Sequence, residues 1–122
     1  NMILLNELLK KDPRFTIDAY LLINEGLRYV HQVIGKKSHV SAQELLEAIR
    51  RLMSKRYGPM AKAVLNSWGI FSTDDIGEVV LNLVNAGLML KEEADPIENF
   101  HAVYDFDTAF VEEYDISEEN NI

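Results

Sequence analysis

From residue 72 to 87 the sequence reads STDDIGEVVLNLVNAG, with Ile76, Val79, Val80, Leu83 and Val84 spaced by three, one, three and one. On a helix that turns every ~3.6 residues, this spacing gathers five apolar side chains onto one face. A strand, with its period of two, would scatter them over both faces. Burying that stripe is worth on the order of 8–15 kcal/mol as an upper estimate, so it dictates both helix and neighbours. The ends are marked as well. Ser72 or Thr73 can cap the first turn, Asp74 and Asp75 lie where the helix dipole favours acids, and Gly87 suits the stop.

The same grammar runs through the rest of the chain. NMILLNELLKKD predicts a short first helix with Ile3, Leu4, Leu5, Leu8 and Leu9 apolar, stopped at Asp12-Pro13. Thr16 is placed to cap a second helix, 17 to about 34, with Tyr20, Ile23, Leu27, Val30 and Ile34 on one face. Gly26 inside that helix costs roughly 1 kcal/mol against Ala and predicts a close neighbour. Ser41-Ala-Gln-Glu44 is a capping box before a helix burying Leu45, Leu46, Ile49, Leu52 and Met53. Gly58-Pro59 stops it and starts a short helix with Met60, Val64 and Trp68 on one side, closed by Gly69. After the 72–86 helix, Leu88–Lys91 and Phe100–Phe106 read as two strands around the turn-rich loop EEADPIEN. Asp107 is expected to cap a last short helix with Phe110, Val111 and Tyr114 inward, and DISEENNI forms an acidic end.

The predicted class is therefore mainly α (α+β). Three helices and a hairpin over 41–106 follow the winged-helix order, with a helical extension over 1–37 and a short helix and acidic tail over 107–122. At 122 residues all of this belongs to one domain.

A winged helix would put residues 72–86 into a DNA groove, and charge argues against it. Outside the apolar stripe stand Asp74, Asp75, Glu78, Asn82 and Asn85, without a base. Each carboxylate at ~4 Å from a phosphate costs about 1 kcal/mol even in water, whereas duplex affinity comes from Lys and Arg. The net charge of −8 is divided: residues 1–62 hold eleven bases and six acids, while 63–122 hold one base, Lys91, and fourteen acids. The basic half offers one candidate interaction surface, Arg50, Arg51, Lys55, Arg56 and Lys62. Its plainest alternative is a solvated helix face with Glu47 and Arg51 paired at i, i+4. Tyr57, Met60, Trp68 and Phe71 could add an apolar patch or simply pack in the core.

Reactive chemistry has little to stand on. There is no Cys, hence no disulfide or thiolate metal site. No nucleophile elbow, phosphate loop, dinucleotide fingerprint or paired-His motif occurs. His101 with Asp105 and Asp107 is the nearest approach to a metal set, and Ser67 beside Trp68 reads as a helix-end hydroxyl. EEADPIEN lacks the spacing and central Gly of a calcium loop. The expectation is no catalytic residue, no cofactor and no metal. Nor does any stretch approach the ~20 apolar residues that span a bilayer, and Met2–Leu5 is too short for a signal core. The expected setting is soluble and cytoplasmic, without a membrane partner.

Five phrases, DPRF, HVSAQELLEAIR, RYGPMAKAVLNSWGI, DDIGEVVLNLVNAGLM and VYDFDTAF, together resemble a family of short uncharacterised bacterial proteins, a domain of unknown function. The resemblance covers residues 12 to about 111. It implies no activity and no catalytic residues to carry over. The expected function is a non-catalytic protein-interaction or regulatory module. A nucleic-acid-binding regulator using the basic face of helix 42–56 is the alternative, and a second copy of the chain is another candidate partner.

Overall fold

The computed structural model describes residues 2–36 and 38–112. Tyr114 and the acidic end lie outside that range. Five α-helices are present among the described residues: α1 (Met2–Lys11), α2 (Ile17–Tyr29), α3 (Ala42–Tyr57), α4 (Ala61–Ser67) and α5 (Thr73–Asn85). α2 runs on into a π-helical turn, Val30–Ile34. Gly58–Met60 forms a 3-10 turn before α4, and α5 is followed by 3-10 turns at Lys91–Glu93 and Ile97–Phe100 and a π-helical turn at Asp107–Glu112.

α2 packs against both α3 and α5. α3 also carries α4, the Ile97–Phe100 turn and the Asp107–Glu112 turn. Tyr20 and Ile23 of α2, Leu45, Leu46, Ile49 and Met53 of α3, Leu65 of α4 and Ile76 of α5 are almost wholly removed from water. Residues from Leu5 to Phe110 share this one cluster, so α2 is part of the centre rather than an appendage beside it. The close neighbour expected at Gly26 is α3: a Cβ there would stand 2.8 Å from Leu45 Cδ1.

The helix ends follow their sequence signals. Ser41 and Glu44 make both halves of the capping box. Ser72 Oγ accepts from the Asp75 N–H, and Asp75 Oδ2 accepts from the Phe71 N–H at 2.8 Å. Two differ. Thr16 stands at the cap position of α2 without a side-chain cap bond, and Asp105, not Asp107, opens the last turn, its Oδ1 accepting from the N–H groups of Asp107 and Thr108.

The predicted hairpin is not formed: no strand occurs among the described residues, and the β content is one isolated parallel bridge between Val40 and Ala94. The reason is where the backbone donors go. Leu88 N–H donates back to the Leu83 carbonyl, and Leu90 N–H donates to Glu93 Oε1 at 2.9 Å. Ala102 N–H is taken by Asp74 Oδ1 and Val103 N–H by Thr73 Oγ1. A ladder needs those same groups, and a backbone carbonyl and side chains close in space reach them first. The alternating apolar residues still find the core, since Phe100, Tyr104, Phe106 and Phe110 pack inward, the last three as a cluster of aromatic contacts.

Candidate functional site

On the basic face predicted from sequence, most of the charge is already answered within the chain. Arg50 grips Glu47 with two bonds, Nε to Oε1 at 2.8 Å and Nη2 to Oε2 at 2.7 Å, and Arg51 Nε shares Oε2 at 3.0 Å. Arg50 first, and Arg51 with it, holds the Glu47 carboxyl below its ordinary range against the opposing effect of burial. Arg56 pairs with Glu25 of α2. Lys62 Nζ reaches Asp107 Oδ1 at 2.7 Å, fastening α4 to the last turn. Lys55 has no ion-pair partner among the described residues. Arg50, Arg51, Lys55 and Arg56 therefore share α3, while Lys62 serves a separate contact.

The pairing of Arg56 with Glu25 points to something the sequence reading missed. Beside α3, the end of α2 and its π-helical turn close a groove of about 180 Å³ between Glu25, Arg28, Tyr29, Gln32 and Val33 on one wall and Leu52 and Arg56 on the other. Tyr29, ahead of Glu47, raises the pKa of the Arg51 guanidinium. Val33 is 62% and Ile34 50% exposed. The cause is the widened turn. Gly35 N–H bonds to the Val30 carbonyl five residues back, so the phase of the helix slips after Val30. Ile34, expected on the buried stripe, is rotated out beside Val33. Val33 thus stands in the groove with Arg28 and Arg56, with Glu25 as the neighbouring acid.

A larger cleft of about 410 Å³ lies among Leu4, Leu8, Lys11, Arg14, Asn82 and Asn85. Its central polar groups serve each other. Asp12 accepts from Arg14 Nε at 2.9 Å, Arg14 Nη2 at 2.8 Å, Arg14 N–H at 3.2 Å and Asn82 Nδ2 at 2.8 Å. Arg14 Nη1 continues to Glu78 at 2.6 Å, and its guanidinium lies 4.9 Å from the Phe15 ring centroid. Asn82 also donates to the hydroxyl of buried Tyr20. Arg14 holds the Asp12 carboxyl well below the usual carboxylate range, against burial and with help from Asn82. This is the fastening of the α1–α2 turn onto α5, and it occupies the DPRF phrase and part of DDIGEVVLNLVNAGLM.

The remaining candidates separate. His101 Nδ1 lies 2.6 Å from Asp74 Oδ2, Asp105 caps the last turn and Asp107 holds Lys62. Among the described residues no three His, Asp or Glu side chains are grouped to hold a metal ion. Ser67 Oγ donates to the Val64 carbonyl at 2.6 Å, which is a helix-end contact. Tyr57 and Trp68 meet edge to face and rest against the core, whereas Met60 and Phe71 are 60% and 64% exposed. No helix among the described residues is long and apolar enough to cross a membrane. No protein-family model, curated protein or solved structure matches the chain.

Proposed function

We propose that the chain is a non-catalytic protein-interaction module whose α2–α3 groove takes an acidic segment carrying an apolar anchor. The observation that carries this reading is the composition of the groove. Exposed Val33 lines the groove with two cations, Arg28 and Arg56, and Glu25, in the same lining, answers Arg56. An apolar anchor in a pocket gives affinity, and the surrounding cations give orientation and encounter rate. A fluorescent decapeptide rich in Glu and Asp with one Tyr and one Ile should bind saturably to the full chain. Arg28→Glu with Arg56→Glu should weaken it about tenfold or more, equivalent to 1.4 kcal/mol. Val33→Ser, a change at an exposed position, should weaken it without touching the fold. Equal binding by all three proteins, each with an unchanged helical spectrum, would remove the groove from consideration.

The nucleic-acid reading loses ground on the same geometry, because Arg50, Arg51, Arg56 and Lys62 each have an intramolecular acid. The order α3, α4, α5 still supports a winged-helix-like description of the three-helix part, and the resemblance to short bacterial proteins supports a small self-contained module. In that description α5 would be the recognition helix. Its Asp74 and Glu78 are tied to His101 and Arg14, leaving an outer surface with no base to meet a phosphate. Retardation of a random duplex at ~50 mM salt, falling steeply as salt rises, would favour the alternative.

A further inference from the structure

We infer that the groove between α5 and residues 91–97 is a binding site for a small amphipathic acid, an unbranched apolar chain ending in one carboxylate. The site is separate from the α2–α3 groove and does not depend on a peptide binding there. Val80, Leu81 and Val84 of α5 form one wall and Ala94, Pro96 and Ile97 the other, around a space of about 380 Å³. A concave, mostly apolar space of this size with a few polar groups is the usual form of a small-molecule site. At about 30 Å³ for each water-sized group, it holds roughly a dozen non-hydrogen atoms.

The groove has a closed apolar end and a polar end. A Cβ on Gly77 would stand 2.7 Å from Phe100 Cβ and 3.2 Å from Ile97 Cγ1, so the missing side chain lets the Ile97–Phe100 turn close directly on α5. From Gly77 the lining continues along α5 to Asn85, a rise of about 12 Å. The opposite wall runs from Ile97 back to Lys91. Lys91 is exposed, has no ion-pair partner among the described residues and is the single base of residues 63–122. Asp95, the acid in the lining, has both oxygens engaged: Oδ1 lies 2.5 Å from His39 Nε2, and Oδ2 accepts from the Ala42 N–H at 2.9 Å. Lys91 is therefore left to meet an anionic head, with the Asn85 amide as a second donor. One ammonium and one amide match a single carboxylate better than a phosphate, which brings more charge and more acceptor oxygens than the groove has donors. A tail running towards Gly77 and Ile97 covers Leu81, which is 40% exposed in the free chain.

Octanoate, titrated into the full chain and followed by amide shifts, should saturate, with the shifts concentrated on residues 77–85 and 91–97. Lys91→Gln should weaken binding about fivefold, the size of a screened surface ion pair. Octanol, with the same tail and no charge, should bind the native chain about as weakly as octanoate binds Lys91→Gln. Leu81→Asp, at a half-exposed position, sets an acid between the apolar walls and should abolish saturation. Shifts that stay linear with concentration, or that fall elsewhere on the molecule, would overturn the inference. So would equal affinity of octanoate for the native chain and Lys91→Gln, since the groove would then be an apolar surface that recognises no head group. Val33→Ser should leave octanoate binding unchanged, which keeps this test distinct from that of the acidic decapeptide.

Discussion

Replacing Asp12 by Asn keeps the size of the side chain and removes its charge, which isolates the electrostatic part of the turn that fastens α1 and α2 to α5. In the native turn, Asp12 is only 17% exposed and accepts four hydrogen bonds from Arg14 and Asn82. An amide there must aim its NH₂ at one set of donors, losing about half of those contacts. Arg14 is 54% exposed, so the ion pair itself is discounted to about 0.5–1 kcal/mol. The bond from the part-buried Asn82 amide to a charged acceptor adds roughly 1.5 kcal/mol. The expected loss is about 2 kcal/mol. Unfolding entropy of about 2.1 cal/mol/K per residue amounts to roughly 0.26 kcal/mol/K for a chain of this length, so Tm should fall by about 8 °C.

The pH dependence is the sharper half of this prediction. Asp12 titrates below its ordinary value in the folded chain. Its contribution is therefore complete above the unfolded value of about 3.9 and is lost as pH falls towards the depressed folded value. Between pH 7 and pH 3 the native protein should lose about 1 kcal/mol of its advantage over Asp12→Asn. Calorimetric melts of both proteins at the two pH values and constant ionic strength test this. A difference in Tm that stays the same at pH 3, or is under about 2 °C at pH 7, would refute the electrostatic account of the turn.

Other perturbations follow from named contacts. Gly69→Ala should cost more than about 2 kcal/mol, because Gly69 has φ +91° and its new Cβ would lie 1.9 Å from the Arg14 carbonyl oxygen. Gly26→Ala should be nearly neutral, since the atom it meets is the movable tip of Leu45 and the helix gains up to ~1 kcal/mol in propensity; urea melts distinguish the two. Ser41→Ala should lower stability by about 1 kcal/mol through loss of the α3 capping box, read as a Tm drop of roughly 4 °C. His39 faces Asp95 Oδ1 with one ring nitrogen and the Glu92 carbonyl with the other, and Asp95 first, then Glu92, raise its pKa. Its stabilisation is present in full below the ordinary value of 6.5 and disappears as pH rises through the raised one, so His39→Gln should lower Tm more at pH 5.5 than at pH 9.

Which parts were legible in the sequence follows from how local each signal is. The stripes of α3 and α5 and the Ser41 box involve residues within a turn of each other, and periodicity and capping patterns read such neighbours directly. The hairpin failed to competitors both near and far in sequence: Leu83 and Glu93 take the Leu88 and Leu90 N–H groups from within five residues. Asp74 and Thr73, about 30 residues away, capture the N–H groups that a second strand would have offered. The α2–α3 groove escaped for a different reason: a single widened hydrogen-bond turn at Val30 changes the face on which Val33 and Ile34 emerge, and no apolar count along the chain registers a slip in helical phase. The four α3 cations were found from charge alone, but not Arg28 across the groove, because it is adjacent only through the α2–α3 packing that buries Gly26.

The acids of α5 and the cations of α3 illustrate one physical rule, that a formal charge describes a surface only after its internal partners are counted. Asp75 closes the helix end, Asp74 fixes the 101–102 turn and Glu78 answers Arg14, so a segment that reads as an acidic face is three structural contacts. On α3 the same counting removes most of Arg50, Arg51 and Arg56 from long-range attraction, and across the groove on α2 Arg28 stands beside exposed Val33. A surface so depleted of free charge is a poor match for a polyanion, which needs many unpaired cations in register with its phosphates. The short acidic segment proposed as the groove's partner needs fewer free cations, because an apolar anchor shares in setting orientation.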